Sequence, residues 1–406
     1  MVSCSENPHQ LILNIYNNEI EGAIKDTILY AIRDTTYFVK SKLNTTAYSS
    51  RLLLGNSNGL EARPIIRFLN FTAIPDSAII DSAKIRLQTD GNISDQNYSP
   101  FTVTVFPIIN PWENNLDSVW NDYKSNIDQD VPLSTLDITL QDSTDLVFTL
   151  NSAGVSLVAQ WLTLIDTPDE NYGIIFDFIS ADFIQNIHAI GTLQDPELII
   201  NYTVPGDSIN YLDTLSASVD AFIYNGDIPR REDRNYTSTL IVYNTILEFN
   251  LREFQANQPD EISLLSATIE LPIDRENSII DSRYDASNIV SLRLLSQFEN
   301  STMEVDSTSG LWSSLSQWSS DSSYLETKTG TSREKLAKSI IRRILVEPEI
   351  PQSLVISSID LLNSFSKPID TTNHYSYIAF FKAKNEFPST KPRLIIEYWI
   401  PPAPRL

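Results

Sequence analysis

The 406-residue sequence holds one cysteine, three histidines and eleven glycines, and each shortage removes a class of chemistry. A lone cysteine excludes an intrachain disulfide framework and any zinc cage built on thiolates. The histidines, His9, His188 and His374, lie far apart, and none stands in a HxH or HExxH spacing. No GxGxxG or GxxxxGK[ST] run occurs, so nothing points to nucleotide-dependent chemistry. No GxSxG elbow accompanies His188 or His374, as Ser-His-Asp catalysis on a hydrolase fold would require. No apolar run approaches the roughly 20 residues of a membrane-spanning helix. Positive charge is scarce as well: 29 basic residues stand against 52 acidic ones, a net charge of −23. A phosphate backbone would be repelled by that balance, which argues against nucleic-acid binding.

What is present is a repeat. Arg51-Leu-Leu-Leu-Gly-Asn56 resembles Thr239-Leu-Ile-Val-Tyr-Asn244, and Ile65-Ile-Arg-Phe68 resembles Ile246-Leu-Glu-Phe249. Ile79 to Leu87 matches Ser263 to Leu271, with Ser82-Ala83 against Ser266-Ala267. Asp195-Pro-Glu-Leu-Ile-Ile-Asn-Tyr202 matches Lys391-Pro-Arg-Leu-Ile-Ile-Glu-Tyr398. Four blocks recurring in one order predict two homologous domains, 25–204 and 207–402, behind an N-terminal tether and lead-in of residues 1–24. With 42% hydrophobic residues, a chain of this length can fill two such cores.

The blocks are short, rich in Ile, Leu, Val, Phe and Tyr, and separated by Asn, Asp, Ser and Pro. Lys84-Ile85-Arg86-Leu87 and Thr268-Ile269-Glu270-Leu271 alternate polar and apolar, as half-buried strands do. The expected fold is all-β: two tandem antiparallel β-sandwich domains, jelly-roll-like, each with one short amphipathic helix. The first helix follows from Val155, Val158, Trp161, Leu162 and Ile165 behind a cap at Asn151 or Ser152. The second opens on Thr331-Ser332-Arg333-Glu334, a capping-box pattern, and runs through Leu336, Ile340 and Ile344. Its basic run, Lys335 to Arg343, reads as a solvated face.

The ordered set resembles the DNRLRE family, described as a carbohydrate-binding module with a β-sandwich fold. In the first copy, Asp34-Thr-Thr-Tyr37 is similar to the family's opening strand, Leu54-Gly55 to its second element, and Arg67-Phe68 with Ile80-Asp-Ser-Ala83 to its central hairpin. Trp112-Glu113 with Val119-Trp120 resembles its paired-tryptophan stretch. Trp161, Tyr172-Gly173 and Pro196-Glu-Leu198 to Tyr202 resemble its closing part. The second copy departs from this pattern: Glu248 replaces Arg67, Tyr243 replaces Gly55, and Trp312 lacks the following Glu. The motif that names the family is in neither copy.

The resemblance implies a non-catalytic module that binds polysaccharide through the first domain. Pro111 to Tyr123 supplies the residue types for it. Trp112, Trp120 and Tyr123 are the stacking candidates, with Glu113, Asn121 and Asp122 as polar partners; the competing reading puts both tryptophans in the core. Tyr37 and Tyr48 are weaker candidates. The acidic stretches Asp128-Gln-Asp130 and Asp142 to Asp145 read as solvated loops, no DxDxDG calcium loop occurs, and no cofactor is expected; a structural calcium ion has no assignable site. Val2-Ser3-Cys4-Ser5 resembles a bacterial lipoprotein processing site, which makes Cys4 a candidate for lipidation and the membrane a partner only through that anchor. An extracellular or cell-surface location follows, as an outer-membrane lipoprotein in the anchored case. The alternatives are a structural or adhesive surface protein without a glycan site, and an accessory part of a polysaccharide-degrading system.

Overall fold

In the computed structural model of the chain, the short apolar runs among the described residues pair into two antiparallel sheets of eleven strands each. The structure describes residues 22–38, 46, 49, 51–94, 99–112, 123–139, 143–192, 194–238, 243–258, 262–279, 289–299, 302–305, 311–314, 324–326, 332–347, 351–357 and 377–401. Chain order begins with β1 (Ala23–Phe38), β2 (Arg51–Ser57), β3 (Leu60–Arg67), β4 (Ile79–Ser94), β5 (Phe101–Pro107), β6 (Ser134–Ile138) and β7 (Asp145–Thr149). Helix α1 (Ser152–Thr163) leads to β8 (Ile174–Phe178), β9 (Phe183–His188), β10 (Glu197–Thr203), β11 (Asn210–Ser216) and β12 (Val219–Gly226). Next come β13 (Arg234–Ser238), β14 (Tyr243–Phe249), α2 (Leu251–Ala256), β15 (Ser263–Ile279), β16 (Ile289–Glu299) and β17 (Thr302–Val305). The chain continues with β18 (Leu311–Ser314), β19 (Tyr324–Glu326), α3 (Ser332–Val346), β20 (Ser353–Ser357), β21 (Tyr377–Phe381) and β22 (Arg393–Ile400). The fold is all-β and sandwich-like, with curled sheets and few short helices.

The first sheet runs β11-β10-β4-β9-β2-β3-β8-β5-β6, with β12 on β3 and β7 on β4. Its core gathers Leu52, Leu54, Ile85, Leu87, Val103, Phe148 and Phe176, with Val158, Trp161 and Leu162 of α1 packed against them. Asn151 caps α1 by accepting from the Ala153 and Gly154 N–H groups, as a short polar side chain does at a helix start. The second sheet runs β13-β21-β15-β22-β1-β14-β20-β16-β17. Ala337, Ile340, Ile341 and Ile344 of α3 join its core, so Trp161 and Ile344 are both buried packing residues.

Paired contacts recur between the sheets. Ser82 and Ser266 each bond the side chain facing them, Asn201 in one sheet and Glu397 in the other. Arg86 pairs with Glu197 across β4 and β10; Glu270 pairs with Arg393 across β15 and β22, the same bridge with its charges exchanged. Arg51–Asp90 in the first sheet has its counterpart in Arg234–Asp274 in the second. This last pair corrects one sequence match. The equivalent of β2 is β13, whose buried Asn235, Tyr236 and Thr237 replace the leucines, and not the apolar run from Thr239 to Asn244.

The sheets also divide the chain differently from the boundaries 25–204 and 207–402. Strand β1, at the start of the first sequence repeat, lies in the second sheet between β22 and β14. Strands β11 and β12, at the start of the second repeat, lie in the first sheet on β10 and β3. The first unit is therefore continuous, 51–226, and is inserted into a second unit made of 23–38 and 234–400. The reason is that the two opening segments carry the same anchors. Ala31 donates its N–H to the Pro392 carbonyl at 2.9 Å, and Ala217 donates to the Pro196 carbonyl at 2.8 Å. Asp34 accepts the Ala383 N–H beyond β21, and Asp220 accepts the Ile190 N–H beyond β9 at 2.7 Å. Asp34 also accepts from Asn235 Nδ2 at 2.7 Å. The anchors fix the strand's place in a sheet without saying which copy of the sheet it enters.

Two expectations follow. Asp34→Ala leaves two partly buried donors without their acceptor, a loss of about 1–3 kcal/mol from the second unit. Native-state hydrogen exchange should show protection falling in β1, β14 and β22 while β11 and β12 stay unchanged. Asp220 is 3% exposed, and burial pushes its carboxyl up to about 7, against the Ile190 N–H and with help from the Asp195 charge. A carboxyl raised above its unfolded value holds a proton in the fold that the unfolded chain has lost, so its contribution is present at low pH and lost as pH rises through 7. Between pH 4 and 7 the urea midpoint of the first unit should drop further in the wild type than in Asp220→Asn; equal slopes would remove Asp220 as the cause.

Candidate functional site

Strand β3 alternates, and its odd-numbered residues Glu61, Arg63, Ile65 and Arg67 share the face turned away from the main core of the first sheet. Ile175 and Asp177 of β8 and Ala221 and Ile223 of β12 lie beside them, through the β3–β8 and β3–β12 pairings. A second, smaller core forms here: Ile65, Ile175, Ala221 and Ile223 pack with Ile108, Trp112 and Ile127 from the segment that follows β5. Ile108, Trp112 and Ile127 thus lie over the outer face of the first sheet.

Arg63 is buried beside these residues, and Arg67 is half-buried. The Arg63 guanidinium donates to Asp177 Oδ1 at 2.5 Å and to Glu61 Oε2 at 3.1 Å. It lies 4.7 Å from the Tyr123 ring centroid and 4.3 Å from that of Phe178. The Tyr123 hydroxyl donates to the same Asp177 oxygen at 3.0 Å. Burial acts to lower the Arg63 pKa, but the hydrogen bond and charge of Asp177 outweigh it and hold the guanidinium above its ordinary value. Burial, reinforced by Asp177, raises the Tyr123 phenol well above its usual range. Arg67 lies 4.2 Å over the Trp112 ring and donates to the Trp112 carbonyl; burial lowers its pKa, with Asp169 offsetting part of the shift.

Trp112 is 3% exposed, and its indole N–H donates to the Tyr172 carbonyl at 2.7 Å. The next residue, Gly173, has φ +77°, and a Cβ there would stand 2.1 Å from the Ile66 carbonyl, so only glycine fits. Trp112 is therefore a packing residue, a correction to its expected role in stacking on a sugar: Arg67 covers one face and the small core takes the edge. Tyr123 is half-buried and spent on Asp177. Glu113, Trp120, Asn121, Asp122 and Cys4 lie outside the described residues, as do Tyr48, Asp142, His9 and His374. Tyr37 lies in β1, in the second sheet. Asp128 closes a local turn by accepting the Asp130 N–H at 3.2 Å. Burial lowers the pKa of His188, with Asp90 and Arg51 acting in opposite directions. No cluster of three His, Cys, Asp or Glu side chains placed to hold a metal occurs among the described residues.

Sequence reasoning missed Arg63 and Asp177. The signal was there: one aspartate inside the run Ile174-Ile-Phe-Asp-Phe178, and an arginine inside Leu60 to Ile66, are charges that a buried strand tolerates only in pairs. Among the described residues of the second unit no such network occurs: Asn244 takes the place of Arg63, and Glu248, at the position of Arg67, makes a 3.8 Å pair with the exposed Arg33. No known family model matches the chain, and no curated protein matches it either.

The geometry makes Trp112 a stability residue. Trp112→Ala should cost about 3–5 kcal/mol in urea unfolding, the range for emptying a large aromatic site. Trp112→Phe, which keeps most of the packing and loses the bond to Tyr172, should cost about 1 kcal/mol. A stable Trp112→Ala variant would mean that the ring is not part of the core.

Proposed function

We propose that the chain is a non-catalytic structural or adhesive protein of a cell surface, in which two β units act as one body. One observation carries this reading: the second unit is completed by a strand from the other side of the first, so the two are not detachable modules. Supporting it, the side chains that could greet a ligand on the outer face of the first sheet are engaged with one another. Arg63, Asp177 and Tyr123 form one group, and Arg67, Trp112 and Tyr172 another. The resemblance to DNRLRE modules fits this setting, because a sandwich can serve as a spacer or a contact surface as readily as a sugar site. A lipid on Cys4 would tether the body to a membrane.

Polysaccharide binding, the other expectation from that resemblance, would have to use Glu113, Trp120, Asn121 and Asp122 without Trp112. A net charge of −23 also disfavours polyanionic glycans such as alginate. Affinity electrophoresis through gels carrying neutral or acidic polysaccharides, with and without calcium, separates the readings. No retardation on any polymer is expected. Retardation that disappears in Trp120→Ala, with circular dichroism unchanged, would replace the structural role by polysaccharide binding through the first unit.

A further inference from the structure

We infer that residues 23–38 are a donor strand that closes the second unit of another copy of this chain, giving a reciprocal dimer. Strand β1 is bound over its whole length: Ala23 to Tyr30 pair with Ile400 to Arg393, and Arg33 to Phe38 pair with Glu248 to Tyr243. Its strand partners and anchors, Asn235, Ala383 and Pro392 among them, all come from residues beyond 234. Thr36 adds two more, accepting the Tyr236 N–H at 3.0 Å and donating to Asn235 Oδ1 at 3.2 Å. Yet the covalent route from β1 to that groove passes through the entire first unit, 51–226.

The first unit supplies the internal comparison. Its equivalent segment, β11–β12, follows β10 after a turn of only six residues, 204–209, and so closes locally on its own sheet. In the second unit the equivalent strand is β1, which precedes the first unit in the chain. All the bonds that hold β1 are the same whether the strand comes from its own chain or from a neighbour, so effective concentration alone decides between them. For a tethered strand that concentration is about millimolar at best, and copies crowded together can match it. Exchanging an identical element is a low-cost route to a dimer, and reciprocal exchange leaves no groove open. The inference names a partner for the structural role proposed above and rests on that reading for its biological sense, though its test reads strand topology alone.

Asp26 and Glu397 are opposed in the β1–β22 register. Two full-length variants, both with Cys4→Ser, carry Asp26→Cys and Glu397→Cys separately. They are unfolded together in denaturant, refolded as an equimolar mixture at high concentration and oxidised. The expected product is a disulfide-linked pair at twice the chain mass that needs both variants and forms severalfold above a Lys25→Cys control, whose side chain faces the other side of the sheet. The chain carrying both Asp26→Cys and Glu397→Cys, refolded dilute, should lock as a monomer. A monomer lock without linked pairs above the control would confine the strand to its own chain and overturn the inference, leaving the structural role without this partner. Failure of both would overturn it by removing the register itself.

Discussion

A single carboxylate per sheet, accepting one backbone N–H across the end of a neighbouring strand, holds the opening segment of each unit in place. Asp34 does this with Ala383 and Asp220 with Ile190, and everything else about the opening segments follows their register. Once that bond is made, Ala31 or Ala217 falls against its proline carbonyl. The residues before it then pair with β22 or β10, and those after it with β14 or β3. The bond is costly to lose because a backbone N–H partly or wholly out of water would be left without an acceptor. The two sites differ in depth. Asp220 is sealed, and its protonation is part of the stability of the first sheet; Asp34 is half-exposed and shares its charge with Asn235.

Much of the architecture was legible in the sequence. Alternation marked the strands around Lys84 and Thr268, three- and four-residue spacing marked both long helices, and the repeat blocks at Ser82-Ala83 and Pro196 found their true counterparts. What could not be read was which sheet each opening segment joins. Asp34 and Asp220 satisfy the same pattern, and a pattern has no memory of chain connectivity. The match of Arg51 to Thr239 failed for a related reason. Apolar runs resemble one another whatever their place in a sheet, whereas the physical equivalence lies in Arg51–Asp90 and Arg234–Asp274, an ion pair surrounded by different neighbours.

Two of the candidate site residues, Trp112 and Tyr123, fall among the described residues, and both are engaged within the fold. Trp112 and Tyr123 do sit on one face of the first unit, and each meets a charged residue there. The meeting is internal. Arg63 and Arg67 leave water to lie against Tyr123 and Trp112, and Asp177 repays the first of these transfers with a hydrogen-bonded charge. Such a pair adds little net stability over apolar packing but is costly to break, so it fixes one arrangement of the covering segment. Exchanged charges in Arg86–Glu197 and Glu270–Arg393 make the same point from the other direction: the bridge is kept while its polarity is not.

The place of β1 has a consequence for biosynthesis. It leaves the ribosome before any of its partners, and β22 is completed only after some 360 further residues, a delay on the order of tens of seconds at about 5–20 residues per second. Through that interval the first unit can close behind it while the strand itself stays open on both edges. Ile24, Ile28, Tyr30 and Ile32, which remain 37–52% exposed even in the finished sheet, add an apolar stripe to those edges. On a polysome the nascent chains would carry this segment close to one another, with Lys25, Asp26, Arg33 and Asp34 as the charges spaced along it. Vectorial synthesis thus presents the strand to its neighbours before it can reach its own groove.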